Sequence, residues 1–409
     1  MNETSFKVYR YRWIMLLVFM GVIAVNQLLW ITFASITGSA AAFYGVSDLS
    51  IGLLSMIFMI VYIVVSIPAS WVIDTYGIRV AVGIGAALTG IFGILRGLLA
   101  TDYNWVLIAQ IGIAVGQPFI LNAITKVAAR WFPIQERATA SGLGSLATYL
   151  GIIIGLALTP YLTIRLGITG MLVAYGITSV AATLVFFGLA KERPLTPPCT
   201  ADQEERALVL DGLKQIMRKR DFLLLMLIFF IGLGVFNGVT TWIENIVRPR
   251  GFSITQAGLT GGIMILGGIV GAVIVPTLSD RLRRRVPFII LALAGATLGF
   301  IGVTYALSYW LLLSSAFFMG FFLLSAGPLG FQYGAEIAYP APEGTSNGLL
   351  ILMGQISGIV FIFGMDKFKS AATGSMTVSL IVLIGLMVLG MLIAFKLKES
   401  PLLQRESTK

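Results

Sequence analysis

The stretch Lys191–Asp221 reads KERPLTPPCTADQEERALVLDGLKQIMRKRD and is the only long polar run in a chain of 409 residues. It carries charged residues, three prolines and the single cysteine, Cys199. About 190 residues of nearly unbroken apolar sequence lie on either side of it. We therefore expect a cytoplasmic linker at residues 191–220 between two membrane-embedded domains at residues 1–190 and 221–409.

The composition predicts the class of protein. The chain is 57% hydrophobic and 11% charged, whereas a soluble domain carries about a quarter charged residues. A transmembrane helix needs roughly 20 apolar residues, and the apolar runs here are far longer than the roughly ten alternating residues of a barrel strand. We expect an all-α polytopic membrane protein with twelve transmembrane helices in two six-helix bundles.

The residue types exclude several functions. The sequence has no histidine and one cysteine, which removes histidine metal sites, histidine bases and any intramolecular disulfide. We expect no catalytic residue, no metal and no cofactor, and a protein that is not an enzyme. The net charge of +10 is explained by the Lys and Arg of cytoplasmic loops. The expected partners are a small-molecule substrate and the lipid bilayer, without nucleic acid, for a monomer.

The basic residues predict the orientation. With the N-terminus inside, cytoplasmic segments hold 22 of the 28 Lys and Arg and outside loops hold five, as the positive-inside rule requires. We expect a multi-pass protein of the inner (plasma) membrane with both termini cytoplasmic. The predicted spans are 11–37, 49–72, 78–100, 104–129, 138–163 and 167–190, then 221–246, 254–279, 286–307, 309–332, 344–365 and 374–396.

Similar elements recur between the halves at one offset, in loops of the same number. The two aspartates are 206 residues apart, and the prolines and glutamates are 207 apart. Such spacing indicates a six-helix unit used twice in parallel. The pairs are Asp74 and Asp280, Pro133 and Pro340, and Glu136 and Glu343.

These loops carry a resemblance. The acidic-x-x-Gly-x-Arg pattern of Asp74, Gly77 and Arg79 after the second span, echoed by Asp280 and Arg281 after the eighth, resembles the major facilitator superfamily across the whole chain. The resemblance implies two bundles related by pseudo-two-fold symmetry and solute transport by alternating access.

A narrower set of sequence runs lies in both halves of the chain. The runs are Tyr11-Arg12-Trp13, Phe43-Tyr44-Gly45-Val46-Ser47, Leu54-Ser55-Met56, Pro68-Ala69-Ser70-Trp71, Trp131-Phe132-Pro133, and Tyr339-Pro340-Ala341-Pro342-Glu343-Gly344-Thr345-Ser346-Asn347-Gly348-Leu349. Together they resemble the feline leukaemia virus subgroup C receptor (FLVCR) family. That family is associated with choline and ethanolamine uptake and with haem export, and the short tails and bridge favour a prokaryotic relative.

Polar side chains near mid-membrane are the candidate substrate site, because transporter sites lie near the midplane and polar groups there are costly unless they are used. An alternative for each amide is an interhelical hydrogen bond. The candidates are Asn26, Gln27, Trp30, Gln117, Asn237, Thr241 and Gln355.

Trp30 is the sharpest candidate, since an aromatic face attracts a desolvated quaternary ammonium by about 2 kcal/mol or more. The FLVCR resemblance implies that Trp30 and Gln117 line a choline pocket and that Gln355 matches its span-11 glutamine. The family's aromatic residue of span 7 falls at Phe236 or Asn237. The alternatives are a drug or organic-anion exporter of the same superfamily and a non-transporting membrane receptor.

The loops after spans 2, 4, 8 and 10 are interpreted as gates. A carboxylate there can accept charge-assisted bonds from a helix N-terminus or an arginine, and we expect Asp74 to do so. Arg96, in span 3, is interpreted as snorkelling to the headgroups. The gating candidates are Asp74, Gly77, Arg79, Glu136, Arg137, Asp280, Arg281 and Glu343.

Overall fold

The structure is a computed structural model that describes residues 9–194, 196, 216–339 and 343–400, without the side chains of Ile134 and Glu343. These residues form helices and no strand, and eleven of the helices are long and apolar enough to cross a membrane. The helix at residues 137–189 holds two predicted spans, because Gly167 interrupts it with a φ of 70° that favours glycine. The predicted all-α membrane fold is confirmed. Cys199 and most of the linker lie outside the described residues.

The helices follow the apolar runs in chain order. They are α1 (Tyr11–Ile31), α2 (Thr37–Tyr44), α3 (Asp48–Tyr76), α4 (Ile78–Leu98), α5 (Tyr103–Leu121), α6 (Ile124–Trp131), α7 (Arg137–Leu189), α8 (Arg220–Thr241), α9 (Ile243–Val247), α10 (Ile254–Leu282), α11 (Val286–Tyr305), α12 (Tyr309–Ala338), α13 (Glu343–Lys367) and α14 (Thr377–Ala394).

Three predicted spans are interrupted. The first is helical as α1 up to Ile31, and α2 begins only at its last residue, Thr37; the fourth consists of α5 and α6, and the seventh of α8 and α9. The interruptions lie at residues 32–36, at Asn122–Ala123 and at Trp242. An interrupted helix frees backbone polar groups, and inside a membrane only other protein groups or enclosed water can bond them.

Contacts between Cα atoms group the chain into two compact units. The first two spans contribute to both units, whereas the sequence predicted halves that separate at the linker; those boundaries stay a prediction. Unit 1 is Met1–Thr32, Ala42–Gly45 and Ile60–Arg206, and unit 2 is Phe33–Ala41, Val46–Met59 and Ala207–Lys409.

In unit 1, α7 packs against α1 and α4 through glycines. A Cβ atom at Gly151 would overlap the carbonyl of Ala24, and one at Gly176 would lie 2.8 Å from the carbonyl oxygen of Gly93. Small residues let membrane helices approach closely in this way. Backbone packing therefore explains these glycines.

In unit 2, α10 and α12 also pack closely through glycines. A Cβ atom at Gly271 would overlap the carbonyl oxygen of Phe321, and one at Gly320 would overlap that of Met264. The two helices thus contact each other backbone to backbone in both directions.

The carboxylate of Glu192, which follows α7 in the chain, caps the start of α4. Glu192 accepts hydrogen bonds from the backbone N–H of Ile78 (3.2 Å) and of Arg79 (2.7 Å), and it pairs with the side chain of Arg130. Gly77, with a φ of 89°, leads into this helix start, where a Cβ atom would overlap the Glu192 carboxylate. The first N–H groups of a helix lack internal partners and favour an anion.

The second half repeats this arrangement. Glu399 follows α14 and accepts from the backbone N–H of Arg285 (2.8 Å) and of Val286 (3.4 Å) at the start of α11. Glu192 and Glu399 are 207 residues apart, and so are their donors Ile78 and Arg285. The repeat in the sequence is therefore also a repeat of helix capping.

We predict that Gly320→Ala destabilises the protein by about 1–3 kcal/mol, the usual cost of overpacking. The control is Gly327→Ala in the same helix, where a Cβ atom meets nothing within 4 Å. Thermal unfolding in detergent measures both. An unchanged midpoint for Gly320→Ala would contradict the close packing of α10 and α12.

We predict that Glu192→Ala lowers stability by about 1 kcal/mol, the typical cost of losing a helix cap, and that Glu399→Ala does the same. Asp102→Asn is the control, because Asp102 accepts from the Asn104 N–H at an exposed helix start and asparagine caps equally well. The midpoint of thermal unfolding is the readout. Equal midpoints for all three variants would refute a capping role for the carboxylates.

Candidate functional site

The amides of α1 lie inside unit 1. Asn26 and Gln27 are 0% and 2% exposed. Asn26 donates to the Thr89 hydroxyl on α4 at 3.1 Å, and Gln27 donates to the side-chain oxygen of Asn26 at 3.4 Å. Asn26 therefore makes the interhelical hydrogen bond that was its structural alternative, while Gln27 extends the polar cluster along α1.

Trp30 lies one turn further along the same helix. It is 6% exposed and stands in the last turn of α1, directly before the interruption of the first span. Gln117, on α5, is also 6% exposed. Both side chains belong to unit 1, and the sequence placed both among the substrate candidates.

Arg96 corrects a prediction. It is 0% exposed, so it does not snorkel to the headgroups. Its guanidinium donates to the carbonyl oxygen of Leu29 (3.0 Å) and to the side-chain oxygen of Gln110 (2.7 Å). The snorkelling interpretation was wrong because the interruption after α1 supplies carbonyl acceptors inside the protein.

The candidates of unit 2 lie on α8 and α13. Asn237 is 8% exposed and donates to the Gly354 carbonyl at 3.1 Å, and the next residue, Gln355, is half-buried. Thr241 is 1% exposed, and its hydroxyl has no hydrogen-bond partner among the described residues. Buried hydroxyls are normally bonded, so Thr241 has capacity for a solute or a water.

The predicted gate of unit 1 consists of three separate pairings. Asp74 accepts from Lys126 at 2.5 Å, not from the helix N-terminus or arginine that were expected as its donors, and Glu192 accepts from the start of α4 instead. Glu136 accepts two bonds from the fork of Arg12, at 3.1 and 3.2 Å. Arg137 donates to the carbonyls of Phe132 and Ala129, at 3.4 and 3.1 Å, while the Arg79 side chain is exposed.

In unit 2 the predicted gate uses another arginine. Asp280 pairs with Arg285, which also donates to Glu336 at 3.0 Å, whereas Arg281 is exposed. Burial alone would lower the pKa of Arg285, but its bonds to Glu336 and Asp280 raise it. The side chain of Glu343 lies outside the described residues.

A polar network at the interruption between α5 and α6 was missed. Tyr62 donates to the side-chain oxygen of Asn122 at 2.7 Å. The Asn122 amide donates to the hydroxyls of Ser66 (3.0 Å) and Ser70 (3.1 Å). The spacing of four residues along α3 puts the three hydroxyl groups on one helix face, and this signal was available in the sequence.

An ionic cluster in unit 2 was also missed. Asp48, at the start of α3, accepts from Asn245 (2.7 Å) and Arg248 (2.8 Å) and pairs with Lys369. Glu244, which is 2% exposed, accepts from the backbone N–H of Gly38 at 3.1 Å and lies 3.4 Å from Arg248. These residues come from the predicted outside ends of four spans, and none of them was among the predicted site residues.

Comparisons with known proteins agree with this architecture. The family model of the Major Facilitator Superfamily matches residues 13–362. A solved bacterial homologue of the human lysosomal transporter Spinster, in an inward-facing and unoccupied conformation, has a TM-score of 0.76 at 16% sequence identity. The match covers 95% of this chain and 97% of that one, and at this identity it shows the fold alone.

Two relatives indicate which family within the superfamily this chain belongs to. The choline/ethanolamine transporter FLVCR2 of Homo sapiens is 30% identical over 88% of this chain and 72% of its own length. Solute carrier family 49 member A3 of Danio rerio is 31% identical over 87% of this chain and 78% of its own length. The chain belongs to the Major Facilitator Superfamily of transporters, and within it to the family of solute carriers that includes FLVCR2.

Proposed function

We propose that this secondary transporter carries choline or a related small organic cation by alternating access. The observation that carries the proposal is the buried tryptophan at the end of α1: Trp30 is 6% exposed and stands where the first span is interrupted. The related FLVCR2 proteins of Homo sapiens and Danio rerio are named choline/ethanolamine transporters, which supports the same substrate class here.

The chemistry suits a quaternary ammonium. Such a cation has no N–H to donate and is attracted by the face of an aromatic ring without a counter-charge. Amide oxygens such as those of Gln117 and Gln355 can accept from the hydroxyl group of choline. Trp30, Asn26, Gln27 and Gln117 in unit 1, and Asn237, Thr241 and Gln355 in unit 2, are the proposed substrate-binding residues.

The rival substrate is an organic anion, and Arg96 would be its natural counter-charge. The guanidinium donates to the Leu29 carbonyl and to Gln110 instead. These bonds use Arg96 inside the protein and favour the cation.

The remaining assignments complete the proposal. The protein acts as a monomer in the inner (plasma) membrane with both termini cytoplasmic, and it does not catalyse a reaction. The gating role of Asp74, Gly77, Arg79, Glu136, Arg137, Asp280, Arg281 and Glu343 stays a prediction. The ion pairs of Asp74, Glu136 and Asp280 support it, since such bonds can break and reform during transport.

We predict that proteoliposomes take up labelled choline faster with an inside-negative potential, and that Trp30→Ala lowers uptake at low choline about 30-fold, the loss of roughly 2 kcal/mol of cation–π attraction. Trp310→Ala is the control, because Trp310 is 80% exposed. No uptake by folded wild-type protein would reject the choline assignment.

We predict that substitutions at Asn237 and Phe236 differ in their main effect, on stability at Asn237 and on substrate affinity at Phe236. Asn237→Ala breaks the hydrogen bond to Gly354 and lowers the free energy of unfolding by about 1 kcal/mol, so the unfolding midpoint falls. Phe236 is half-buried on the same helix, and Phe236→Ala raises the KM for choline with a smaller change in midpoint. An unchanged KM for Phe236→Ala would place the aromatic partner of the seventh span elsewhere.

A further inference from the structure

The polar cluster at the end of α1 is built around one carbonyl group. The carbonyl oxygen of Leu29 accepts from the guanidinium of Arg96 at 3.0 Å and from the amide of Gln110 at 3.2 Å. The Thr32 hydroxyl, which lies 3.4 Å from the same guanidinium, donates to the Leu28 carbonyl at 2.8 Å and lies 3.2 Å from that of Leu29.

The interruption of the first span explains this convergence. The last carbonyls of a helix have no partner in the helix, and α1 ends at Ile31, with five residues between it and the start of α2. Carbonyls at this depth need protein partners. A helix C-terminus also carries a partial negative charge that favours a cation within its last turn. Arg96 and Gln110, both 0% exposed, meet these needs.

Trp30 follows Leu29 directly, so its backbone lies between the bonded carbonyl of Leu29 and the bonded side chain of Thr32. We infer that Arg96, together with Gln110, is a positioning residue that fixes the end of α1 and thereby holds the Trp30 ring where it meets the ammonium group of the substrate. This inference rests on the proposed function. It assigns Arg96 to substrate recognition without any contact between Arg96 and the substrate.

The geometry also explains how a buried arginine is compatible with a cationic substrate. Two of its partners are a backbone carbonyl oxygen and an amide oxygen. The partial negative charge at the end of α1, about half an elementary charge, offsets part of the arginine charge. The guanidinium is planar and offers five donors in a fixed fork, which lysine does not.

The test is Arg96→Lys, which keeps the charge and loses the fork. We expect the KM for choline uptake to rise about tenfold while the maximal rate changes less than twofold, because the ring is displaced from the cation. Arg165→Lys is the matched control in unit 1: Arg165 is exposed and lies over the Tyr161 ring at 5.7 Å. Its KM should stay at the wild-type value.

A second readout needs no substrate. The emission spectrum of Trp30 is obtained by subtracting the spectrum of the Trp30→Phe counterpart from that of each protein. The subtraction cancels the emission of the other six of the seven tryptophans. We expect Arg96→Lys to shift this difference spectrum to longer wavelength and Arg165→Lys to leave it unchanged. If Arg96→Lys does not fold, Gln110→Met, which removes the second donor to Leu29, takes its place with the same expectations.

The outcomes separate the two proposals. Wild-type KM together with an unshifted Trp30 spectrum in a folded Arg96→Lys protein overturns the positioning role, even where the unfolding midpoint or the maximal rate falls. Absence of choline uptake by the wild type overturns the proposed substrate instead. In that case the Trp30 spectrum still decides whether Arg96 holds the ring.

Discussion

The ends of the helices are the constraint on which much of this structure depends. Apolar segments can span a bilayer only if their free backbone groups are bonded. At several helix ends of this chain the bonding groups are charged side chains, each of the sign that the helix dipole favours there. Glu192 and Glu399 take helix starts, whereas cations take helix ends. Arg96 bonds the end of α1, Arg250 the end of α11 through the carbonyl of Val303 at 2.7 Å, and Lys219 the end of α12 through that of Tyr339 at 2.7 Å.

This constraint links stability to the candidate site. The interruption after α1 brings Trp30 to the end of a helix and at the same time creates the carbonyl that Arg96 must bond. The interruptions between α5 and α6 and between α8 and α9 lie beyond Gln117 and Thr241 respectively. The polar residues proposed for recognition therefore occur where the backbone itself is most polar, as in other transporters with discontinuous helices.

Much of the fold could be predicted from the sequence, because twelve long apolar runs and a positive-inside bias are strong signals. The interruptions at residues 32–36 and at Trp242 could not be predicted, since these positions carry no charge, proline or glycine that would end a helix. Arg96 was misread for the same reason: its acceptor exists only once α1 has ended. Glu192 was overlooked because it lies in the polar stretch interpreted as a linker. Its partner 207 residues later, Glu399, was a usable signal, and it follows a span in the same way.

The repeated carboxylate has a consequence for the origin of the protein. Glu192 caps a helix start within unit 1, to which it belongs, and Glu399 caps one within unit 2. A gene encoding six spans and ending just past such a glutamate would already contain every residue of that closure. Duplication and fusion of that gene would then require no new contact at either site, and the connecting segment would be free to diverge.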